Sequence, residues 1–446
     1  MTGWLRTISR VFFICTFAPG TVLAGLNEGL TAYNNQHFAI ALREWKPLAQ
    51  RGDSIAQHNL GMLYAKGQGV PQDYKEAVMW YRLAANQGNA AAQFNLGLLY
   101  AKGQGVPQDY KEAVKWYRLA AEQGDSDAQG NLGVMYRDGK GVPQDYKEAA
   151  KWCLLAAKQG NADAQNNIGV MYVDGQGVPQ DYKEAVMWSR LAANQGHAVA
   201  RHNLGWLYAN GQGVPQDYKE AIKWYRLAAE QGDSDAQGNL GVFYEKGQGV
   251  PQDYEEAVKW FRLAANQGDA DAQHRLGVMY NDGQGVHQDY KEAIKWYRLA
   301  ASNGNASAQF NLALMYAKGK HIAKDYKEVV KWSRLAADQS HAAAQGLLGI
   351  MYEYGQGGVS PNRVVACALY MLSAASDPST ENGVTATANK LKLVPRMSSR
   401  EIDAAQDLMR EMAKPKNLLL ALSRYLRNPK VKAGDNGPGS AGKGPN

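Results

Sequence analysis

Residues 103–125 read GQGVPQDYKEAVKWYRLAAEQGD, and the same stretch returns at residues 211–233 with one change, Val114 to Ile222. A near-verbatim internal copy means the chain is built by repetition, so its period is established before any local pattern is read. Asn59-Leu60-Gly61 recurs at Asn95, Asn131, Asn167, Asn203 and Asn239, each 36 residues after the last, with looser forms starting at Arg275, Asn311 and Leu347. Tyr64 follows the same spacing through Tyr100, Tyr136, Tyr172, Tyr208, Tyr244, Tyr280 and Tyr316 to Tyr352. That makes nine copies, preceded by a partial one over roughly 29–52.

Each copy predicts two helices. Ala56, Leu60, Leu63 and Tyr64 have the i, i+4, i+7, i+8 spacing of one helix face, which places a first helix at Ser54–Lys66. A second begins at Asp73-Tyr74-Lys75-Glu76, where an N-cap acceptor and an acidic residue three places on can satisfy exposed amides. It sets Ala77, Trp80, Tyr81 and Ala84 on one face and stops at Gly88. Gly67-Gln68-Gly69-Val70-Pro71 is the turn between them. Gly61 sits inside the first helix, at a cost of about 0.8–1.0 kcal/mol relative to alanine. Close approach of the second helix and its Trp80-type ring is the expected compensation. One such hairpin leaves apolar flanks uncovered and a neighbour of the same shape covers them, which is why the unit is repeated.

The pattern of Ala56, Leu60, Gly61, Tyr64, Gly67, Gly69, Val70, Asp73, Ala77, Trp80, Ala84, Ala85 and Gly88, with counterparts every 36 residues, resembles the Sel-one-like repeat family, a branch of the tetratricopeptide-like helical hairpins. The resemblance covers roughly residues 29–376. It implies an all-α, right-handed α-solenoid of about nine helix-turn-helix repeats whose first helices line a concave face. Members of the family generally hold other proteins.

The expected organisation is a signal peptide at 1–24, an N-terminal partial repeat at 25–52, nine repeats at 53–376, capping helices at 377–413 and a basic, largely disordered tail at 414–446. Arg6 and Arg10, the apolar run Val11–Phe17 and the small residues ending at Ala24 carry the first of these readings. They predict export from a bacterial cytoplasm, to the periplasm or beyond. Ser399–Met412 reads as an amphipathic cap helix with Ile402, Ala405, Leu408 and Met412 on one face. From Ala413 on, seven basic residues face Asp435 alone, so the rest of the chain, whose total charge is +7, is close to neutral. That argues against a nucleic-acid groove along the body. It leaves weak contact between the basic tail and an anionic membrane surface as one alternative function.

Catalytic and metal chemistry find little support. His58, His202 and His274 occupy one slot in copies one, five and seven. With repeats stacked about 10 Å apart, neighbours in that series lie roughly 20–40 Å apart, beyond sharing a metal. Cys153 and Cys367 are six copies apart, too far for a disulfide. No cofactor motif is present, and the Asp73–Glu76 pair is explained by capping. A hydrolase or cell-wall-active enzyme, the other alternative, lacks a nucleophile–base set. The informative signal is variation within a fixed template. The slot before Asn59 holds His58, Phe94, Gly130, Asn166, His202, Gly238, His274, Phe310 and Gly346, while the slot after Gly61 is aliphatic except at Trp206. His58, Asn59, Phe94, Asn95, Asn166, His202, Asn203, Trp206, His274 and Phe310 are therefore the candidate residues for binding a protein or peptide along the concave face. The Asn59 series can pair with a bound peptide's backbone, or it can bridge neighbouring helices.

Overall fold

A computed structural model of the chain describes residues 20–427 except 377. The predicted signal sequence falls almost wholly outside them, as do the last residues of the tail. Among the described residues there are 23 α-helices, one short 3-10 turn and no strand. An N-terminal hairpin, Gly20–Asn34 and Phe38–Gln50, precedes the pair Ser54–Lys66 and Tyr74–Asn86. This pair recurs every 36 residues until Ala342–Tyr354 and Arg363–Ser376. The protein is an all-α solenoid of tandem helical hairpins. Its contacts divide it into two compact units that meet at Asp217/Tyr218, between the two helices of repeat 5. The first holds the N-terminal hairpin, repeats 1–4 and the first helix of repeat 5. The second holds the remainder.

The helix ends follow from their side chains. Asp53 accepts from the Ala56 amide, and Asp73 accepts from the amides of Lys75 and Glu76. The reciprocal half of the predicted capping box does not form: the Asp73 amide donates to Tyr64 O at 3.0 Å, and Glu76 accepts from Trp80 Nε1 at 3.2 Å. First helices close on a left-handed glycine such as Gly67, and second helices end just before a positive-φ glycine such as Gly88.

Gly61 is a point of close approach, as expected, but to a different ring. A Cβ there meets Tyr81 at 2.7 Å, and one at Gly97 meets Tyr117 at 2.8 Å. Tyr81, not Trp80, fills the space between the paired helices, because it points directly at its own first helix. Trp116 instead packs on the core that repeat 1 forms with the first helix of repeat 2. The N-terminal hairpin copies the device across a shorter turn, with Trp45 against Gly29. Gly105 has a second constraint. Its φ is +74°, and a Cβ would strike the carbonyl of Tyr74 in the preceding repeat.

Neighbouring repeats are joined by a buried polar seam. Gln93 Nε2 donates to Ala85 O of the preceding repeat at 3.1 Å, and its Oε1 accepts from Gln123 at 2.7 Å. Gln57, Gln129, Gln165, Gln237 and Gln309 repeat the arrangement. Cys153 and Cys367 are free and buried, each in a separate core.

In the second unit the repeats end on a cap. The helix Ser399–Met412 forms as predicted, with a Ser398–Glu401 capping box and Ala405, Leu408 and Met412 buried. The segment assigned to the tail differs from expectation. Leu418–Arg427 is a helix that buries Leu418, Ala421 and Leu422, and the Leu419 amide donates to Asp338 Oδ1 at 3.0 Å. The apolar insert that broke the basic run is thus part of the cap.

Candidate functional site: the first-helix face

Along the first unit, Met62, Leu98, Val134 and Val170 are half-buried and Trp206 is exposed, each one repeat after the last. Equivalent positions in the second unit are Val242, Val278, Leu314 and Ile350, all half-buried. Trp206 departs most from the template, with 38% of its surface open. It shares one face of Ala198–Asn210 with Val199, His202 and Asn210 through i, i+3, i+7, i+11 spacing. Val199 is also exposed, so this helix presents two large apolar side chains to solvent.

The other predicted residues divide by role. His58 Nδ1 lies 3.2 Å from Asn59 Oδ1, and its Nε2 lies 3.0 Å from Asn95 Nδ2 of the next repeat. These partners fix a neutral ring that donates from Nδ1 and accepts at Nε2. Burial, the main cause, lowers the His58 pKa to about 4; the Asn59 bond opposes the shift and Lys66 adds to it. His274 Nε2 meets Asn311 in the same way at 3.1 Å, and burial again lowers its pKa. Asn203 Nδ2 donates to buried Asn166 Oδ1 at 3.0 Å. Phe94 packs half-buried on Tyr117, with ring centres 5.9 Å apart, and Phe310 stacks on His341 at 4.9 Å. The amides of Asn95, Asn203 and Asn311 therefore bridge adjacent repeats, the second of the two roles open to the series. His202 is half-buried.

Acidic groups flank the row in the first unit. Asp127 accepts from Asn161 at 2.8 Å, and burial with Asp125 and Asp163 raises its pKa to about 6. Asp163 pairs with His197 at 3.1 Å. In the second unit an open depression of about 460 Å³ lies among Asp269, Asp271, Asn303, Asn305, Ser307 and Gln339. Among the described residues no three His, Cys, Asp or Glu side chains are grouped to hold a metal ion. No helix among them is long and apolar enough to cross a membrane.

The Gln57 seam escaped the sequence reading, although it recurs at the 36-residue period. Polar residues at helix positions look solvent-facing until the neighbouring repeat is in place.

A protein-family model described as the Sel1 repeat matches nine abutting stretches, from 54–89 and 90–125 through to 342–377. Among solved structures, the chain is similar to c5321, a protective antigen of uropathogenic Escherichia coli displaying an SLR fold. The identity is 32% and the TM-score 0.58, over 95% of this chain and 97% of that one. A Sel1 repeat protein from Oxalobacter formigenes is 34% identical with a TM-score of 0.55, over 70% of this chain and 89% of its own. No match is found among curated proteins.

Proposed function

The chain belongs to the Sel1-repeat family, and from that membership we propose that it is an exported, non-enzymatic scaffold that binds a protein partner along its first-helix face. The carrying observation is Trp206, a large exposed aromatic in a slot that is aliphatic elsewhere. Exposed tryptophans on preformed surfaces are the side chains that most often dominate binding energy. The half-buried aliphatic row extends from it, so an extended segment with spaced apolar side chains gains one small contact per repeat. The row is built on rigid helices, which limits the ordering cost of binding.

Affinity is expected to centre on Trp206 and Val199, with the histidine and asparagine series holding the repeats in register beneath the partner. A photo-crosslinking residue at Val199 tests this. It should give a discrete protein adduct, and Trp206→Ala should lower recovery about tenfold or more. Undiminished recovery from the alanine variant would refute the reading.

Export is part of the proposal. Cleavage after Ala24 is compatible with the N-terminal hairpin, because Gly25 lies against Leu48 and Leu26 O accepts from Trp45 Nε1. Leu23 and Ala24 are exposed, so the cut would shorten the helix Gly20–Asn34 and leave these contacts in place. N-terminal sequencing of protein released by the cells should start at Gly25. Attachment of the basic C-terminal segment to an anionic surface is the weaker reading, since Leu418, Ala421 and Leu422 are already buried.

A further inference from the structure

Seven of the second helices send an arginine to the next repeat. In the first unit, Arg82 donates to Tyr100 Oη at 2.6 Å, Arg118 to Tyr136 at 2.5 Å and Arg190 to Tyr208 at 2.6 Å. In the second, Arg226, Arg262, Arg298 and Arg334 donate in the same way to Tyr244, Tyr280, Tyr316 and Tyr352. The guanidinium also lies over the ring, about 6 Å from its centre, at Tyr136, Tyr208 and Tyr352. Before the first repeat, Lys46 keeps a cation in the slot.

The third repeat breaks the series. Where repeat 2 reads Trp116-Tyr117-Arg118-Leu119 and repeat 4 reads Trp188-Ser189-Arg190-Leu191, it reads Trp152-Cys153-Leu154-Leu155, so Leu154 stands in the arginine position before Tyr172. Leu154 and Tyr172 pack on the same core, so the leucine replaces the apolar stem of an arginine without its charged head. Tyr172 is half-buried, and Leu155, next to Leu154 in the chain, is 41% exposed. Burial, the main cause, raises the pKa of the Tyr172 hydroxyl, and the nearby carboxylates of Glu184 and Asp181, which add to the shift, are the groups that suit a cation.

We propose that the Tyr172 junction binds an arginine side chain of a partner protein, whose guanidinium donates to Tyr172 Oη and lies over its ring, as Arg118 does at Tyr136. The seven internal copies define the occupant. A planar, multiply donating cation on an apolar stem fits the hydroxyl and the ring together, and Leu155 offers apolar contact to the residue beside it. The site lies at a helix junction and does not depend on the Trp206 row, so the two readings fail separately.

The test uses the full chain with tyrosine-ring NMR, titrating N-acetylarginine amide against its neutral citrulline analogue. The arginine compound should shift Tyr172 saturably in the millimolar range, and the citrulline compound should bind at least about fivefold more weakly. Leu154→Arg fills the slot in cis and should abolish the response while holding or raising Tm. Arg118→Leu opens a second slot and should give Tyr136 the same response. A Tyr172 resonance indifferent to the arginine compound, equal shifts from both compounds, or a silent Tyr136 in Arg118→Leu would each overturn the assignment.

Discussion

Gly61 and its counterparts show how one atom governs the pairing of two helices. A methyl group at Gly97 would gain about 1 kcal/mol of helix propensity but would press on the Tyr117 ring at 2.8 Å. Overpacking of that kind costs about 1–3 kcal/mol, so Gly97→Ala should lower stability in urea unfolding. Repeat 8 carries the natural compensation, Ala313 with the small Ser333 in the tyrosine slot. In a Tyr117→Ser background the added cost of Gly97→Ala should accordingly fall, read as the coupling in a double-mutant cycle. Histidine gives a second test. An unfolded histidine titrates near 6.5, while His58 is held down to about 4 by burial. The unfolded chain therefore binds the proton first. The contribution is full above pH 6.5 and declines as pH falls toward 4. Asn166 bonds Asn203 in the same position, so His58→Asn can retain the bridge. It should reduce the stability lost between pH 7.5 and 5 by roughly 1–2 kcal/mol, measured by paired urea melts.

Helices in this protein are held less by their own propensity than by what the next one supplies. Glu76 accepts from Trp80, and Glu184 from Trp188, where the residue before the tryptophan is methionine. At Lys115 and Lys223 the glutamate pairs with the lysine and the Trp116 and Trp224 indoles lack a partner, whereas Glu328 serves both Lys331 and the Trp332 indole. Such exposed pairs are worth little. The glutamine seam matters more, because its groups are out of water. Gln129→Leu should cost about 0.5–1.5 kcal/mol, because Ala121 O and Gln159 each lose one bond but keep another to Gly124. The C-terminal helix belongs to the same logic. Removing residues 414–446 should uncover Leu408 and Met412, lower the unfolding midpoint and promote association, as read by light scattering.

For the chain as an array, the relevant quantity is the interface that each repeat shares with its neighbours. Deleting residues 90–125, one full period, joins two equivalent seams and should leave a folded protein with proportionally less helix by circular dichroism. Deleting half that length breaks the register and should not. The period and the helix boundaries were readable because glycine, proline and aspartate punctuate most copies. The candidate face was only partly readable. Trp206 and the varied slot stood out as departures from the template, but whether Asn95 faced a ligand or a neighbour depended on a residue 37 positions earlier.

Sequence alone determined the repeat length, the two-helix unit, the caps and the end of the array, because these depend on local backbone preferences and on spacing within one helix. Tertiary structure decided that Tyr81 rather than Trp80 fills the glycine notch, that the asparagines join repeats, and that Leu418–Arg427 completes the cap. Those outcomes depend on side-chain direction and on which surface a neighbouring repeat covers, neither of which the spacing within one copy specifies.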